Sequence, residues 1–311
     1  MKPATLTLAE LRRAIARAES QANSAINRAT DYRAELARRY NAGEVPAMTD
    51  TDRTLSPSQV NSYLECPAAW YFGHVLRLHE PVTHSLAIGR AVHTAAALLL
   101  TARRDGRDPS ADDINEILEI AWNLHEPTIE TNPPATEEID EEQIQDLRDS
   151  ESQARALAVL WWTAAAPSIE PAEIEMQITG QIAGIVINAV IDIVDASGMI
   201  VDIKTAAKRP NGISPSHRLQ VITYAMLHAP CNESHTARLD YLTKTKTPAY
   251  VQLKTGLDEP DYAYAESIYP LVAEAMDDGL YLPHRAGNLC SRKHCAFWQA
   301  CEAEYGGTVR P

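Results

Sequence analysis

An α/β domain with a mixed sheet and flanking helices is what this chain predicts, on three observations. The first is a change of character at residue 172, after which short apolar runs alternate with longer helical stretches. Strands are expected at 173–179, 187–194, 200–205, 238–243 and 249–253, and helices at 214–228 and 258–276. The second is the order of these segments, strands, helix, strands, helix, which suits a sheet covered by helices. The third is a pair of Ile/Val runs around Asp195-Ala196-Ser197-Gly198, a β-hairpin signal. No internal repeat or low-complexity tract suggests another architecture.

Taken in order, residues 1–47 form a region of their own. Leu8, Leu11, Ile15, Ala18, Ala22, Ala25, Ala29, Tyr32 and Leu36 make a heptad seam, so 6–40 reads as one amphipathic helix. Its Ala-rich seam suits a helix docked on the body, or equally an arm for self-association or a protein partner. Next comes a polar linker at 43–54, and Met48 within it raises the idea of a second start for a domain spanning 48–311. Ser56-Pro57-Ser58-Gln59 is a helix start, with Ser56 as N-cap and Pro57 in the first turn, and Pro67 breaks or kinks that helix just after Cys66. A second helix covers about 88–102. The stretch 105–165 reads as a helical insert, with helices near 111–124 and 139–165 around a Pro-rich loop at 127–134.

The length of 311 residues allows a sizeable core. No stretch reads as a membrane span and the N-terminus lacks a signal-peptide apolar region, so no membrane association and a cytoplasmic location are the expectations. Net charge is −14, yet residues 105–151 alone hold sixteen acidic side chains against Arg107 and Arg148. The remainder is neutral and free to carry a basic groove, so the acidity does not exclude nucleic acid. Five cysteines without a secretion signal argue against a disulfide framework.

The hairpin concentrates the chemistry. A three-residue loop ending in a left-handed Gly198 sets Asp195 opposite Met199, and counting back sets Asp192 opposite Asp202. Lys204 shares a face with Asp202. Like charges opposite one another in Ile/Val strands are costly, and a divalent cation would relieve them; the plainer alternative is a solvent-facing hairpin with a weak Asp202–Lys204 pair. Four other features point toward it. Gly89 and His93 lie one helical turn apart, pairing close backbone approach with a metal ligand, although His93 also suits an ordinary core or surface position. Glu175, or Glu173 on the same face, could project from the preceding strand. Gln220 and Tyr224 share a helix face and can donate to a phosphate or position a lysine. Cys290, Cys295 and Cys301 cluster near the C-terminus, and distant Cys66 could complete a four-thiolate site for zinc or an iron–sulfur cluster. The lack of a Cys-x-x-Cys pair disfavours zinc, His294 is a substitute ligand in a zinc version, and Cys231 stands apart as structural.

In their joint order, the Cys-Pro at Cys66, Gly89-x-x-x-His93, Asp192, Asp202-x-Lys204-Thr205, Gln220-x-x-x-Tyr224 and the cysteine triplet resemble the RecB-like branch of the PD-(D/E)xK nuclease superfamily. That branch includes phage, bacterial and CRISPR-associated iron–sulfur exonucleases. The resemblance covers roughly 55–307; many relatives use a C-x2-C-x5-C spacing where this chain has C-x4-C-x5-C. It implies a restriction-endonuclease-like core with the acidic insert and N-terminal helix as additions. It implies Mg2+ or Mn2+ held by His93, Asp192 and Asp202, helped by the Ile203 carbonyl, with Glu175 as a further candidate catalytic residue. Lys204 would orient or deprotonate water, and Gln220 and Tyr224 would hold Lys204 or the DNA backbone. Cys66, Cys290, Cys295 and Cys301 would ligate a 4Fe–4S cluster, at 290–301 closing with Cys66. The function implied is a metal-dependent DNA nuclease, an exonuclease acting at ends or on single strands in recombination, repair or phage DNA processing. A catalytically silent DNA-binding or assembly module, and a zinc-stabilised scaffold, are the alternatives.

Overall fold

The computed structural model describes residues 54–78, 82–126, 141–228 and 236–311. The 6–40 helix, Met48 and its linker up to residue 53, the 127–134 loop and Cys231 lie outside them. The described chain contributes to two compact units. The larger comprises Thr51–Glu65 with Pro81–Leu280, and the smaller draws on Cys66–Glu80 and Tyr281–Pro311.

In the larger unit a six-stranded mixed sheet is flanked by helices. Its elements are β1 (Thr54–Leu55), α1 (Pro57–Glu65), α3 (His84–Arg104), α4 (Ala111–Asn123), α5 (Glu141–Ala164), β2 (Pro171–Ile182), β3 (Ile185–Asp195), β4 (Ile200–Ala206), α6 (Pro215–His228), β5 (Thr236–Thr243), β6 (Tyr250–Gly256) and α7 (Glu259–Asp277); α2 (Pro67–Trp70) belongs to the smaller unit. Helix starts obey side-chain chemistry. Ser56 Oγ accepts the Gln59 amide at 3.2 Å, and Ser110 with Asp113 forms a full capping box.

Helix α3 buries Ala87, Ile88, Ala91, Val92, Ala95, Ala96, Leu99 and Leu100, spaced by threes and fours. Small alanines let α5 approach, and Leu157, Ala158 and Trp161 meet this stripe over Ile193, Val201, Ile203 and Leu242 of the sheet. Each fully buried large apolar chain here contributes about 1.5–3 kcal/mol. By length and composition α3 does meet the measure of a membrane span, contrary to the sequence expectation; half of that stretch is buried within the protein. Helices α1, α6 and α7 pack with one another on the sheet's other face.

Strand β3 organises the sheet. Strand β2 pairs with it antiparallel along nearly its whole length, through a turn in which Ala183 and Gly184 both have positive φ (48° and 84°). Two successive left-handed residues are what a tight two-residue hairpin turn requires. The other edge of β3 is divided. Strand β1 pairs parallel at Val186 and Ile187, while β4 pairs antiparallel only at Ile193–Val201 and Val194–Ile200. Those pairs carry the register counted from the 196–198 turn, where Gly198 takes φ 81°. Beyond them β4 leaves β3 and continues alongside β5, parallel from Ile200–Ala237 to Ala206–Thr243.

The smaller unit contains α2 (Pro67–Trp70), a π-helical turn at Tyr71–Val75 and α8 (Trp298–Tyr305). Ala68, Phe72, Phe297 and Cys301 form its small core, with Cys66 and Cys295 against it. Tyr71 stacks on Tyr281 at 4.4 Å between ring centroids, and Tyr305 Oη donates to the Tyr281 carbonyl at 2.6 Å. A Cβ at Gly73 would meet the Phe297 ring at 3.3 Å, tighter than ordinary van der Waals contact.

Candidate active site

The departure of β4 from β3 falls at Asp192 and Asp202. With the ladder open, the Asp192 side chain takes over a backbone partner: its Oδ2 accepts the Ile203 amide at 2.8 Å. The same oxygen lies 3.3 Å from His93 Nδ1, which α3 brings down onto the strand ends. Gly89 makes that approach possible, since a Cβ at this position would meet Thr205 Oγ1 at 3.2 Å.

Glu175 stands across from Asp192 in the β2–β3 register, between the pairs Ile174–Ile193 and Met176–Ile191. Its φ is +49°, a strained conformation for glutamate of the kind that collects at functional sites. His93, Glu175 and Asp192 present ligand atoms within 4.8 Å of one another; among the described residues no other such group of three occurs. Neither Glu173 nor Asp202 belongs to this trio.

Asp202 has no exposed surface. Lys204 Nζ donates to its Oδ1 at 2.9 Å and lies 2.7 Å from Oδ2, off the direction of a hydrogen bond, so buried Oδ2 has no hydrogen-bond donor. Tyr241 pairs in register with Lys204 on β5, and His217 at the start of α6 bonds its hydroxyl through Nδ1 at 2.9 Å. Gln220 Nε2 donates to Tyr224 Oη at 2.5 Å, so this pair is made within α6, with Tyr224 buried. Sequence reading missed His217 and Tyr241, whose placement depends on the parallel β4–β5 register.

The charges shift one another. Burial pushes the Asp202 carboxyl up to about 6, the Asp192 charge adding to the rise and Lys204 opposing it. Burial also opposes ionisation of Asp192, but His93, Lys204 and the Ile203 amide together hold it below the ordinary carboxylate range. For His93 burial favours the neutral ring, and the neighbouring Asp192 carboxylate outweighs it, raising the pKa. Glu175 is an exposed residue with a partly desolvated carboxyl, and desolvation with the Asp192 charge raises it. Burial and then the Lys204 charge lower His217 to about 4, leaving a neutral ring near neutral pH.

A cavity of about 820 Å3 opens beside this group, lined among others by Gly89, His93, Glu175, Ile203, Lys204 and Thr205. An oxygen-rich trio with one imidazole suits a hard divalent cation. The four cysteines of the smaller unit are free thiols. Cys66 caps α2 and accepts the His284 amide at 3.5 Å. Burial raises Cys295, and the proximity of Cys66, Cys301 and Cys290 raises it further.

The opened hairpin thus sets Asp192 against the buried Asp202-x-Lys204, with helix-borne His93 beside it. A family model for the PD-(D/E)XK nuclease superfamily matches residues 54–302, and the chain belongs to that superfamily. Among solved structures it is similar to a candidate exonuclease from Eubacterium rectale, at 10% identity over 76% of this chain and 89% of that one, with a TM-score of 0.45. It is also similar to the protein SSO0001, at 14% identity over 88% and 96% of the two chains, with a TM-score of 0.38. No curated protein matches it in sequence.

Proposed function

We propose that the protein is a metal-dependent deoxyribonuclease of the RecB-like branch, acting on DNA ends or single strands as an exonuclease. The observation that carries this is the convergence of His93, Glu175 and Asp192 beside the buried Asp202–Lys204 pair and its donorless oxygen. These residues fit Mg2+ or Mn2+: His93, Glu175 and Asp192 would hold it, with Asp202 and the Ile203 carbonyl alongside. Such a cation supplies Lewis-acid polarisation of the phosphoryl oxygens and lowers the pKa of water. The protein's part is positional and electrostatic. Lys204, fixed by Asp202, orients the attacking water and sets positive charge against the developing phosphate charge. Burial raises the Asp202 carboxyl to about 6, against the lowering effect of Lys204, so it can take a proton just below neutral pH. Neutral His217 and Tyr241 form the wall behind Lys204 without competing for Asp202.

In the smaller unit we propose a 4Fe–4S cluster on Cys66, Cys290, Cys295 and Cys301, as a structural clasp. All four thiols are free, and Cys66 and Cys290 lie close enough to Cys295 and Cys301 to raise the pKa of both. The lack of a Cys-x-x-Cys pair, the usual zinc-ribbon spacing, is what weighs for the cluster over zinc.

The deciding experiment is cleavage of end-labelled linear and of circular DNA, single- and double-stranded, with Mg2+ or Mn2+, by anaerobically purified wild type and Lys204→Ala. Metal-dependent loss of linear substrate that vanishes in the variant is expected, from brown protein with visible absorption. A folded wild type that cuts nothing would replace this reading with a silent binding module, and colourless protein containing zinc would remove the iron–sulfur proposal.

A further inference from the structure

The cavity beside the metal-ligand trio carries positive charge that the mechanism above does not use. Arg90 and Lys244 line it with Lys204, and Glu175 is the one carboxylate in the lining. In a chain of net charge −14, a concavity with three cations against one anion is a local reversal of sign. Arg90 lies one helical turn before His93 on α3 and is exposed. Neither Arg90 nor Lys244 has a carboxylate partner among the described residues. Lys244 sits just past the last residue of β5, and its amide donates to the Ala206 carbonyl at 2.7 Å, continuing the parallel ladder with β4. Its ammonium donates to Ser85 Oγ at the start of α3. Burial holds its pKa below the ordinary lysine range, the condition of an ammonium short of a counter-ion.

The lining also tells which part of a nucleic acid would fit. Thr83, Ser85, Thr94 and Thr205 add hydroxyls, and apart from His93 and His125 no ring lines the cavity. Cations with hydroxyls bind phosphate and sugar, whereas base binding to single strands relies on aromatic platforms.

Resting on the nuclease reading, we propose that Arg90 and Lys244 each bind a backbone phosphate of the substrate strand beside the one being cleaved. Recognition in this cavity is then of the backbone and indifferent to sequence. The same contact also sets the strand's path, from the ends of β4 and β5 along the first turns of α3.

The test measures binding of a labelled oligothymidylate across a NaCl series in EDTA, and cleavage kinetics with Mn2+. The proteins are wild type, Arg90→Ala, Lys244→Ala and Lys244→Arg, with Lys254→Ala on exposed β6 as the control cation. Each alanine variant should flatten the slope of log K against log[salt] by about 0.7, the value of one single-strand phosphate contact. Each should raise KM about tenfold, with the loss falling mainly there, and Lys244→Arg should restore most of it. Lys254→Ala should leave the slope as in wild type. Cleavage that persists in Arg90→Ala with wild-type KM and slope would overturn the subsite. So would a Lys244→Ala variant that melts earlier but keeps the wild-type slope, because Lys244 would then only pin α3 to β5. A wild type that neither binds nor cuts would instead remove the nuclease reading beneath it.

Discussion

Two buried carboxylates on neighbouring strands, each paired with a base two residues away, have opposite accounts. Asp240 on β5 is bonded bidentately by Arg238, through Nε at 2.8 Å and a terminal nitrogen at 2.9 Å. Trp161 Nε1 adds a bond at 3.0 Å and Tyr250 Oη another at 2.8 Å. The Arg238 guanidinium spends its remaining donors on Ser168, the Ala165 carbonyl and Tyr250. Asp202 on β4, equally buried, has one directed bond, from Lys204, whose ammonium also lies 2.7 Å from the second oxygen; no other donor reaches that oxygen. Burial alone therefore does not separate the two carboxylates. The completeness of their hydrogen bonds does: one set is closed, and the other has room for a further partner.

The largest effect that could break this comparison is on stability against activity. Asp240→Ala should cost about 3–5 kcal/mol by stranding a buried arginine, read as a lower urea midpoint. Asp202→Ala should unfold much closer to wild type and lose DNA cleavage. Equal urea midpoints for the two variants would erase the distinction.

A smaller effect sharpens it through pH. The folded pKa of Asp202, about 6, lies above its ordinary value of 3.8, so the folded state holds this proton more tightly. Its contribution to stability is complete below about pH 4 and disappears as pH rises through about 6. Asp202→Asn keeps a neutral group there, so metal-free wild type should lose melting temperature relative to this variant between those limits. Added Mn2+ should stabilise wild type more at pH 7.5 than at pH 5, because ligands must shed protons to bind. A difference between the proteins that stays flat with pH would mean Asp202 is not strained by burial.

The smallest effect concerns access. Gly89→Ala places a methyl 3.2 Å from Thr205 Oγ1. We expect a cost of about 1 kcal/mol or less if Thr205 rotates away, with reduced cleavage as α3 lifts His93. Unchanged stability and activity would show that α3 approaches less closely than the structure has it.

What the sequence disclosed and what it hid divide along chain distance. The turn at Gly198 and the register carrying Asp192 and Asp202 were legible because only a few residues separate them. The Ser56 cap of α1 and the alternation of β2 were legible for the same reason. Glu175 was ambiguous with Glu173 because alternation puts both on one face, and only the positive φ at Glu175 with the β2–β3 register separates them. The expected metal set placed Asp202 with Asp192, whereas the structure gives Asp202 to Lys204 and sets Glu175 beside Asp192. Arg238–Asp240 with Trp161, and His217 with Tyr241, join residues that meet only through a parallel register and helix packing. Helix α8 lay hidden among cysteines whose spacing carries no apolar period. The β2–β3 turn was missed because Ala183 is not a usual left-handed residue.

The three-residue turn at 196–198 has a consequence for how this sequence can change over time. Strand β3 is anchored to β2 along its length and cannot slide. A single residue inserted or deleted in the turn would shift β4 by one position, and a shift of one exchanges the two faces of a strand. Asp202 and Lys204 would then point into the apolar layer of α3 and α5, where Val201 and Ile203 now pack. Substitutions can tune this hairpin by degrees, but its length is effectively frozen, so the distance from Asp195 to Met199 should outlast most of the side chains between them.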